Sequence, residues 1–586
     1  MIKHDEPDYR RVFLAVFLAA IVLIAWQVRV EWPRRQALAH LNVQTTEQHV
    51  AEQQRHAEEV PAKEAVEAED NPALSRAQRL AASPRIAIDS DTLHGSIALK
   101  GARFDDLSLV KYRTDVDPQS PEVMLLTPNG DEQGYFVQAG WLASDNSTKV
   151  PDQHTLWQAD KKELHPGETV TLRWQNGQGV TFVMAISLDE NYMFDIAQRV
   201  ENHADHDITL LPYAYINRTY ELPKQAAFLH EGPLGIMEGS LSEVTYKELK
   251  EKGNKTYDNA SGWFGITDKY WLSALIPAGE HHKVTFSHYV KNDRDRYQVD
   301  YLNEPFTIAA GSSTDYDVRL FAGAKELKVL DHYAAGTAAQ PPIPLFDRAL
   351  DFGYFYFLAK PTVVVTNILY HATGNFGIAL LLFIILVKIV MFPLANKSYH
   401  SMTQMRKLQP EMLKLRERYA GDQIGMHKAT RELYKREKIN PAAGCLPVLI
   451  QIVVFLALFR GLNVTIEMRH APFYGWIKDL SAPDPANLFT AFGALPWETP
   501  SMLHLGLLPI LYCITMIIQT KQQPKPADPV QAKMMSWMPF FLLVFFDKMA
   551  SGFVLYWTWS NILSIFQQRF ITRKDENKKG QVLIAE

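Results

Sequence analysis

Cysteine is nearly absent from this chain of 586 residues, and its two occurrences, Cys445 and Cys513, both lie inside apolar runs. The long polar segment that precedes those runs therefore has no disulfide of its own, so cysteine usage does not identify its compartment. Neither cysteine has neighbours at metal-ligand spacing. We expect both thiols to be buried and chemically inert.

Enzyme motifs are also missing from the sequence. There is no HExxH, no GxSxG, no phosphate-binding P-loop and no Cys/His arrangement. His281-His282 and the pair His203 and His206 match metal ligands only by residue type, and solvated turn histidines are the simpler interpretation. The formal net charge is −5 and no continuous basic face is visible, which argues against a nucleic-acid partner. We therefore expect a chain that is not an enzyme and needs no metal or cofactor.

The apolar residues that are present are distributed unevenly. Residues 12–28 form a run of seventeen uncharged residues, about the minimum for a spanning helix. Basic residues precede this run and no small-x-small cleavage site follows it. We predict an uncleaved signal-anchor helix in residues 1–29, with a cleaved signal peptide as the alternative. Residues 30–84 are rich in acidic residues and lack hydrophobic periodicity, which predicts a flexible linker.

Residues 85–335, called the β-domain below, alternate between apolar and polar side chains. Val170, Leu172 and Trp174 point one way from their polar neighbours, and turn signals such as Asn129-Gly130 separate runs of this kind. Repeated short strands over this length predict a large β-sandwich.

The β-domain is followed by an amphipathic segment and then by long apolar runs. Residues 344–371 combine aromatic, apolar and acidic residues, which predicts an amphipathic helix region at a membrane surface. Residues 376–571 contain five apolar runs that we predict to be membrane spans, at about 376–393, 442–462, 502–520, 534–546 and 552–571.

One of these predicted spans, residues 534–546, is unusually short. At about 1.5 Å per residue it would reach about 20 Å, less than a hydrocarbon core of about 30 Å. Either the helix extends into residues 529–533 or the bilayer is thinner around it.

Lysine and arginine set the predicted orientation. Residues 396–441 carry eleven of them, whereas 463–501 carry only two. The loop 521–533 and the basic tail 572–586 carry further positive charge. Because positive loops stay in the cytoplasm, six spans satisfy the pattern, with both termini inside and the β-domain outside.

Lys388 is the main candidate functional residue. A charge within a spanning run costs on the order of 3 kcal/mol, so we expect Lys388 to face a hydrated cavity between helices. The alternative is that its ammonium reaches the membrane interface. Gln451, Thr515, Ser560 and Asn561 supply further polar groups at membrane depth, either in that cavity or as hydrogen bonds between helices.

The loop 396–441 is predicted to be a cytoplasmic helical hairpin. Apolar residues recur in it at three- and four-residue steps, a helical period. This stripe either closes the hairpin on itself or offers a methionine-rich surface to apolar nascent chains. Its members are Met402, Met405, Leu408, Met412 and Leu415.

The helical part of the chain also resembles the YidC family of membrane protein insertases. The motifs are long and follow one another in order, which makes the resemblance specific over residues 345–573. They include Val387-Lys-Ile-Val-Met-Phe-Pro-Leu394, Leu433-Tyr-Lys-Arg-Glu-Lys-Ile-Asn-Pro-Ala-Ala-Gly-Cys-Leu-Pro447, Trp476-Ile-Lys-Asp-Leu-Ser481 and Ser551-Gly-Phe-Val-Leu-Tyr-Trp-Thr-Trp-Ser-Asn561.

The resemblance implies a multi-domain membrane protein of the bacterial inner membrane. It implies a conserved core of five transmembrane α-helices, which with the N-terminal signal anchor makes six, a periplasmic β-supersandwich and a hydrophilic groove that carries a positive charge. Lys388 stands where the family usually has arginine, and Tyr556 and Trp557 stand where the family has a pair of tyrosines.

The implied partners are nascent membrane proteins, the lipid bilayer, the Sec translocon (SecYEG and SecDF) and the ribosome. The alternatives are a solute transporter with a periplasmic binding domain and, more remotely, a membrane-anchored sugar-processing enzyme.

Overall fold

The structure is a computed structural model that describes residues 74–144, 147–221, 229–337, 340–419, 422–437, 439, 442–493, 495, 504–523 and 529–585. The predicted signal anchor and most of the predicted linker lie outside these residues. The linker's last residues, however, are ordered against the β-domain. Ser75 caps a short helix, α1, at Arg76–Ala81, and the Arg76 guanidinium forms an ion pair with Asp106. A flexible linker is predicted up to residue 84, and the structure shows that this last part contains a helix.

The β-domain consists of two stacked sheets, with eleven and nine strands in the described part of the chain. The strands are Arg85–Asp89 (β1), Leu93–Ala98 (β2), Arg103–Arg113 (β3), Glu122–Leu126 (β4), Tyr135–Ala143 (β5), Gln158–Ala159 (β6), Glu163–Leu164 (β7), Thr169–Gln175 (β8), Val180–Leu188 (β9), Met193–Asn202 (β10), Ile208–Thr219 (β11), Gly232–Met237 (β12), Ser240–Glu243 (β13), Lys255–Ala260 (β14), Phe264–Thr267 (β15), Trp271–Pro277 (β16), His282–Lys291 (β17), Arg294–Asn303 (β18), Phe306–Ile308 (β19) and Ser313–Ala324 (β20). The strand order in the first sheet is β14-β17-β18-β11-β5-β3-β2-β1-β7, and in addition β19 pairs with β11 and β4 pairs with β3. The strand order in the second sheet is β13-β12-β15-β16-β20-β10-β9-β8-β6.

Alternation along the strands builds the core between the sheets. In β8, Val170 and Leu172 are fully buried, whereas Thr169 and Arg173 are exposed. The antiparallel pairing of β10 with β20 runs from Met193 opposite Phe321 to Glu201 opposite Ser313. A period of two therefore places one face of β8 and of β10 in the core, as the sequence pattern predicts, whereas β12 is buried on both faces.

Most of the helices come after the β-domain in the sequence. Their bounds are Tyr246–Lys252 (α2), Leu327–Ala335 (α3), Tyr356–Thr373 (α4), Phe376–Val390 (α5), Phe392–Lys407 (α6), Gln409–Arg418 (α7), Gln423–Arg436 (α8), Ala442–Val464 (α9), Leu507–Gln522 (α10), Pro529–Phe546 (α11) and Ser551–Ala585 (α12). Among the described residues no individual helix has both the length and the apolar composition to cross a bilayer. The α5–α6 pair, bent by 68°, has them only when its two helices are taken together.

The junction after the β-domain differs from the predicted amphipathic helix of residues 344–371. Only its second half is α-helical, as α4. Phe346–Ala349 and Gly353–Phe355 are short 3₁₀ turns, and the Phe346 ring packs edge-on against Trp263 and Phe321. Phe346 and Phe352 are therefore buried in the core that includes the β-domain, whereas Phe357 is exposed.

Three helices have ends that differ from the predicted spans. The run 376–393 is broken at Met391, since Pro393 has no N–H for a continuing helix and begins a new one. The predicted thirteen-residue helix 534–546 starts at Pro529 and has 18 residues, or about 27 Å. This added length removes the argument for a thinned bilayer. The last helix, α12, continues through the predicted tail 572–586 to Ala585.

The β-domain and the helices share one continuous apolar core. This cluster extends from the sheets through Phe346 and Phe352 to Ala359 and Val363 on α4 and to Ala457 on α9. A second apolar cluster lies among α5, α9, α10 and α12. The first helices after the β-domain are therefore packed on it, and the second cluster surrounds the candidate site.

Candidate functional site

A cavity of about 270 Å³ lies between the helices at the end of α5 that continues into the helical hairpin. Helices α5, α6, α9, α10, α11 and α12 all contribute to its wall. The wall combines amide and hydroxyl groups with methionine side chains. The lining residues are Lys388, Met391, Ala395, Tyr399, Gln451, Ile452, Tyr512, Met516, Gln519, Thr520, Gln523, Met535, Met538, Trp557, Ser560, Asn561, Ser564 and Gln567.

Lys388 lies in the last turn of α5 and is half-buried. The helix ends two residues later at Val390, so Lys388 lies close to the bend between α5 and α6. Its ammonium donates a hydrogen bond to the Ser564 Oγ at 2.9 Å. The position also places the Lys388 ammonium near the carbonyl end of α5, which is the negative end of the helix dipole.

Five of the seven residues predicted for the groove line this cavity: Lys388, Gln451, Trp557, Ser560 and Asn561. The other two, Thr515 and Tyr556, do not line the cavity but form hydrogen bonds with residues that do. The Thr515 Oγ1 accepts a hydrogen bond from the Asn561 Nδ2 at 3.3 Å, and the Tyr556 hydroxyl accepts one from Gln451. Tyr556 is 1% exposed and belongs to the apolar cluster. It therefore fixes the position of the Gln451 amide.

Several residues that line the cavity were not predicted from the sequence. Ser564 follows Ser560 by one helical turn and Gln567 follows Ser564 by three residues, so the period of 3.6 could have placed all three on one face of α12. Tyr399 could not have been found in this way, because it reaches the cavity only through the bend between α5 and α6.

The electrostatics of the cavity are one-sided. Of the described residues that line it, only Lys388 carries a charge. Two opposite charges about 4 Å apart attract by about 4 kcal/mol at an effective dielectric constant of 20, against about 1 kcal/mol in water. A carboxylate that enters this space therefore finds a cation with no competing carboxylate in the described lining.

The opposite end of the helix cluster, next to the β-domain, is closed by hydrogen-bonded loops. Asp547, after α11, accepts hydrogen bonds from the Gly506 N–H at 2.7 Å and from the His504 imidazole at 3.1 Å. Asp484 accepts one from the Leu508 N–H at 2.6 Å, at the start of α10. The Ser551 N–H donates to the Ala482 carbonyl at 2.7 Å. These bonds hold the loops across the helix ends.

The hairpin formed by α6, α7 and α8 contains the predicted apolar stripe. Leu408 is buried at the break between α6 and α7, and its stripe neighbours are half-buried. Leu433 on the returning helix α8 is also buried, and Arg436 pairs with Glu411 across the two helices at 2.9 Å. This packing favours the interpretation in which the stripe closes the hairpin. The half-buried members are Met402, Met405, Met412 and Leu415.

Comparison with known proteins gives matches along nearly the whole chain. Residues 85–365 match the family described as the YidC periplasmic domain, and residues 368–579 match the 60Kd inner membrane protein family. The membrane protein insertase YidC of Rickettsia bellii is 42% identical over 565 residues, which is 96% of this chain and 98% of that protein. The same protein of Rickettsia massiliae is 42% identical over 95% of this chain and 98% of its own length.

Solved structures with similar chains include an active YidC insertase with its first transmembrane domain resolved. It is 15% identical, covers 82% of this chain and 92% of its own, and superposes with a TM-score of 0.34. A galactose mutarotase-like protein from Lactobacillus casei covers 41% of this chain and 99% of its own, at 11% identity and a TM-score of 0.30. The assignment rests on the sequence relatives, which match this chain from end to end.

The two family matches meet within α4, after the last strand has ended at Ala324. The strands therefore lie in the part that matches a periplasmic domain, and the helices from α5 onwards lie in the part that matches an inner membrane protein. The chain belongs to the YidC family of inner-membrane proteins, the membrane protein insertases.

Proposed function

We propose that this chain inserts membrane proteins by receiving a short polar segment of a client in the cavity around Lys388. The client's following apolar segment then partitions into lipid, favoured by about 25 cal/mol per Å² of buried apolar area. Neither a nucleotide nor a metal takes part in this scheme, and the chain catalyses no chemical reaction.

One observation carries the proposal. The cavity places Lys388 among neutral amide and hydroxyl groups, with no acidic residue in the described lining. Carboxylates are costly to remove from water unless a partner compensates the lost hydration. Lys388 supplies that partner as a point charge, since lysine lacks the bidentate fork of arginine. The methionines of the lining can adapt to varied apolar side chains.

The membrane topology is part of the same proposal. The positive charge of the hairpin 396–441 supports a cytoplasmic location for it, with the β-domain in the periplasm and both termini in the cytoplasm. Six spans satisfy this arrangement: the N-terminal anchor, the run 376–393 that contains α5, and the helices α9, α10, α11 and α12. The cavity then opens near the cytoplasmic side and the loops around Asp547 close the periplasmic side.

The proposed partners are nascent membrane proteins, with the Sec translocon and the ribosome as assisting complexes. The basic hairpin, with eleven lysines and arginines in residues 396–441, supports an approach of anionic ribosomal surfaces. The solute-transporter alternative has no supporting observation, since the relatives that match this chain from end to end carry the name of an insertase.

The test is insertion of a small two-span client into liposomes that contain only the purified full-length chain, scored by protection of the client from protease. The client carries one aspartate before its first span, and a second client carries asparagine there. We expect protection of the aspartate client to fall about tenfold with Lys388→Glu, which corresponds to about 1.4 kcal/mol. Lys328→Glu, at an exposed position of the β-domain, is the matched control.

A charge-reversed pair makes the test specific. A client with lysine in place of the aspartate should insert better with Lys388→Glu than with the unchanged chain. Lys388→Arg should keep the preference for aspartate, because the charge is retained. If Lys388→Ala and Lys388→Glu insert all three clients as the unchanged chain does, the charge has no role. Protection no greater than in empty liposomes would contradict autonomous insertion.

A further inference from the structure

Ser564 is the direct protein contact of the Lys388 ammonium that the structure shows. It lies on α12, is 5% exposed, and accepts the Lys388 hydrogen bond through its Oγ at 2.9 Å. The same hydroxyl donates to the Ser560 carbonyl one turn earlier at 2.8 Å. This second bond orients the hydroxyl, so that a lone pair of the oxygen is available to the ammonium.

Tyr399, in the second turn of α6, lines the same cavity from across the helix bend. Lys388 precedes the 68° bend and Tyr399 follows it, so both arms of the bent pair contribute to the cavity that Ser564 lines. Within this cavity the Ser564 hydroxyl bonds α12 to the first arm through Lys388.

Lysine needs such an anchor more than arginine does. Its ammonium sits on a flexible four-carbon stem, and near a helix end it can reach towards water instead of into a cavity. Lys388 is two residues from the end of α5, so an unanchored ammonium would extend towards the hairpin. The bond to Ser564 opposes this by directing the Nζ atom towards α12.

We infer that Ser564 is a positioning residue that fixes the depth at which the cavity presents its positive charge. The consequence concerns client selection and rests on the proposed function. A charge at a fixed depth favours clients in which the carboxylate lies at one particular distance from the apolar segment, counted along the client's own sequence. A charge that moves freely accepts a range of distances and discriminates less between carboxylate and amide.

The experiment uses the full chain in liposomes and a ladder of clients. In each client one aspartate is placed at a successive position before the first span, and each has an asparagine twin. The measured quantity is the aspartate-to-asparagine ratio of protected client at each position. The unchanged chain should show a maximum at one or two adjacent positions.

Ser564→Ala should lower that maximum at least about threefold and spread it over more positions, because it removes a hydrogen bond to a charged group and water replaces only part of that bond. Ser564→Thr keeps the hydroxyl and should restore the profile. Thr558→Val is the matched control, because the buried Thr558 hydroxyl donates to the Val554 carbonyl on the same helix at 2.7 Å without lining the cavity.

The outcomes separate this inference from the function on which it rests. A sharp maximum that is unchanged by Ser564→Ala would overturn the positioning role while leaving charge-assisted insertion intact. Equal loss of aspartate and asparagine clients in Ser564→Ala, with the ratio unchanged, would also overturn it, because that result describes a purely structural serine. A ratio of one at every position with the unchanged chain would overturn the charge-assisted function itself.

Discussion

The Lys360 ammonium of α4 lies 2.7 Å from a carboxylate oxygen of Asp331, which belongs to the last helix of the β-domain. Asp347, in the junction between them, lies at the same distance on its other side. Arg460 of α9 makes a similar contact with Asp351 at 3.3 Å. Cations of the helical region are therefore paired with carboxylates of the β-domain and its junction, beside the apolar core that the two parts share.

Replacing Lys360 should destabilise this contact between α4 and the β-domain. Lys360→Gln removes the ammonium that pairs with the largely buried Asp347 and with Asp331. We expect the free energy of unfolding to fall by about 1–3 kcal/mol. This is less than for a fully buried pair, because Asp331 is partly exposed. We expect a lower melting temperature of the full chain in detergent. Lys252→Gln, which breaks an exposed pair with Glu248, should change it little. Equal changes in melting temperature for the two substitutions would contradict a stabilising role of the Lys360 ion pairs.

Asp300 in β18 gives the β-domain a predictable pH dependence. Burial raises the pKa of Asp300 to about 6, although the Gln298 amide donates to it at 2.9 Å. Because the folded pKa lies above the unfolded value, the folded state binds the extra proton between about pH 4 and pH 6. The free energy of unfolding therefore falls as the pH rises through this window, by about 3 kcal/mol in all.

Asp300→Asn removes this penalty. We expect the variant to melt at a higher temperature than the unchanged chain at pH 7, and at nearly the same temperature near pH 4. Asp315 is the control with the opposite sign, since the hydrogen bond from Arg199 and its charge hold the pKa of Asp315 below its usual value. Asp315→Asn should be neutral or slightly destabilising at pH 7. A stabilising effect of Asp300→Asn that does not vary with pH would contradict the titration argument.

Gly377 provides a packing test at the closed end of the helix cluster. A Cβ atom on Gly377, in the first turn of α5, would lie 2.1 Å from the Phe473 ring. Gly377→Ala should therefore displace the loop that carries Phe473 and destabilise the chain by about 1–3 kcal/mol.

A double substitution distinguishes this clash from a general effect of alanine. Phe473→Ala removes the clashing ring, so the cost of Gly377→Ala should be smaller in the Phe473→Ala background, measured as the coupling energy of a double-mutant cycle. Additive costs would show that the ring is not the cause.

Asp547 should be essential to the same closed end. Asp547→Ala removes the acceptor of the Gly506 N–H and of His504, leaving a buried donor unpaired at a cost of about 1–3 kcal/mol. We expect faster hydrogen exchange at Gly506 and at the first residues of α10. His504→Ala, which keeps the Gly506 bond, should leave exchange at Gly506 slow. Fast exchange in both variants would assign the closure to His504 instead.

The sequence predicted the sheets and helices well where one strong period dominates. Alternation in Val170 and Leu172 predicted a buried strand face, and the apolar runs predicted helices close to α9 and α10. The junction was mispredicted because Phe346 satisfies an amphipathic pattern whether it faces lipid or protein. The bend at Met391 was also missed, since Pro393 lies where a straight run of apolar residues continues without interruption.

The candidate site was predictable in its chemistry but not in its full geometry. A lysine within an apolar run marked the cavity, because such a charge needs a polar surrounding. Ser564 and Tyr399 could not be assigned to Lys388 from their spacing in the chain. Their common place in the cavity depends on the angle between α5 and α6 and on the side of α12 that packs against these helices.

The bend has a consequence for how this segment can change in length. Tyr399 lies eleven residues after Lys388, and both line one cavity only because the chain turns between them at Met391. Adding or removing one residue on either arm would rotate its side chain by about 100° around the helix and carry it away from the cavity. Residues 388–399 should therefore tolerate substitutions far better than insertions or deletions, whereas the distal part of the hairpin is free of this constraint.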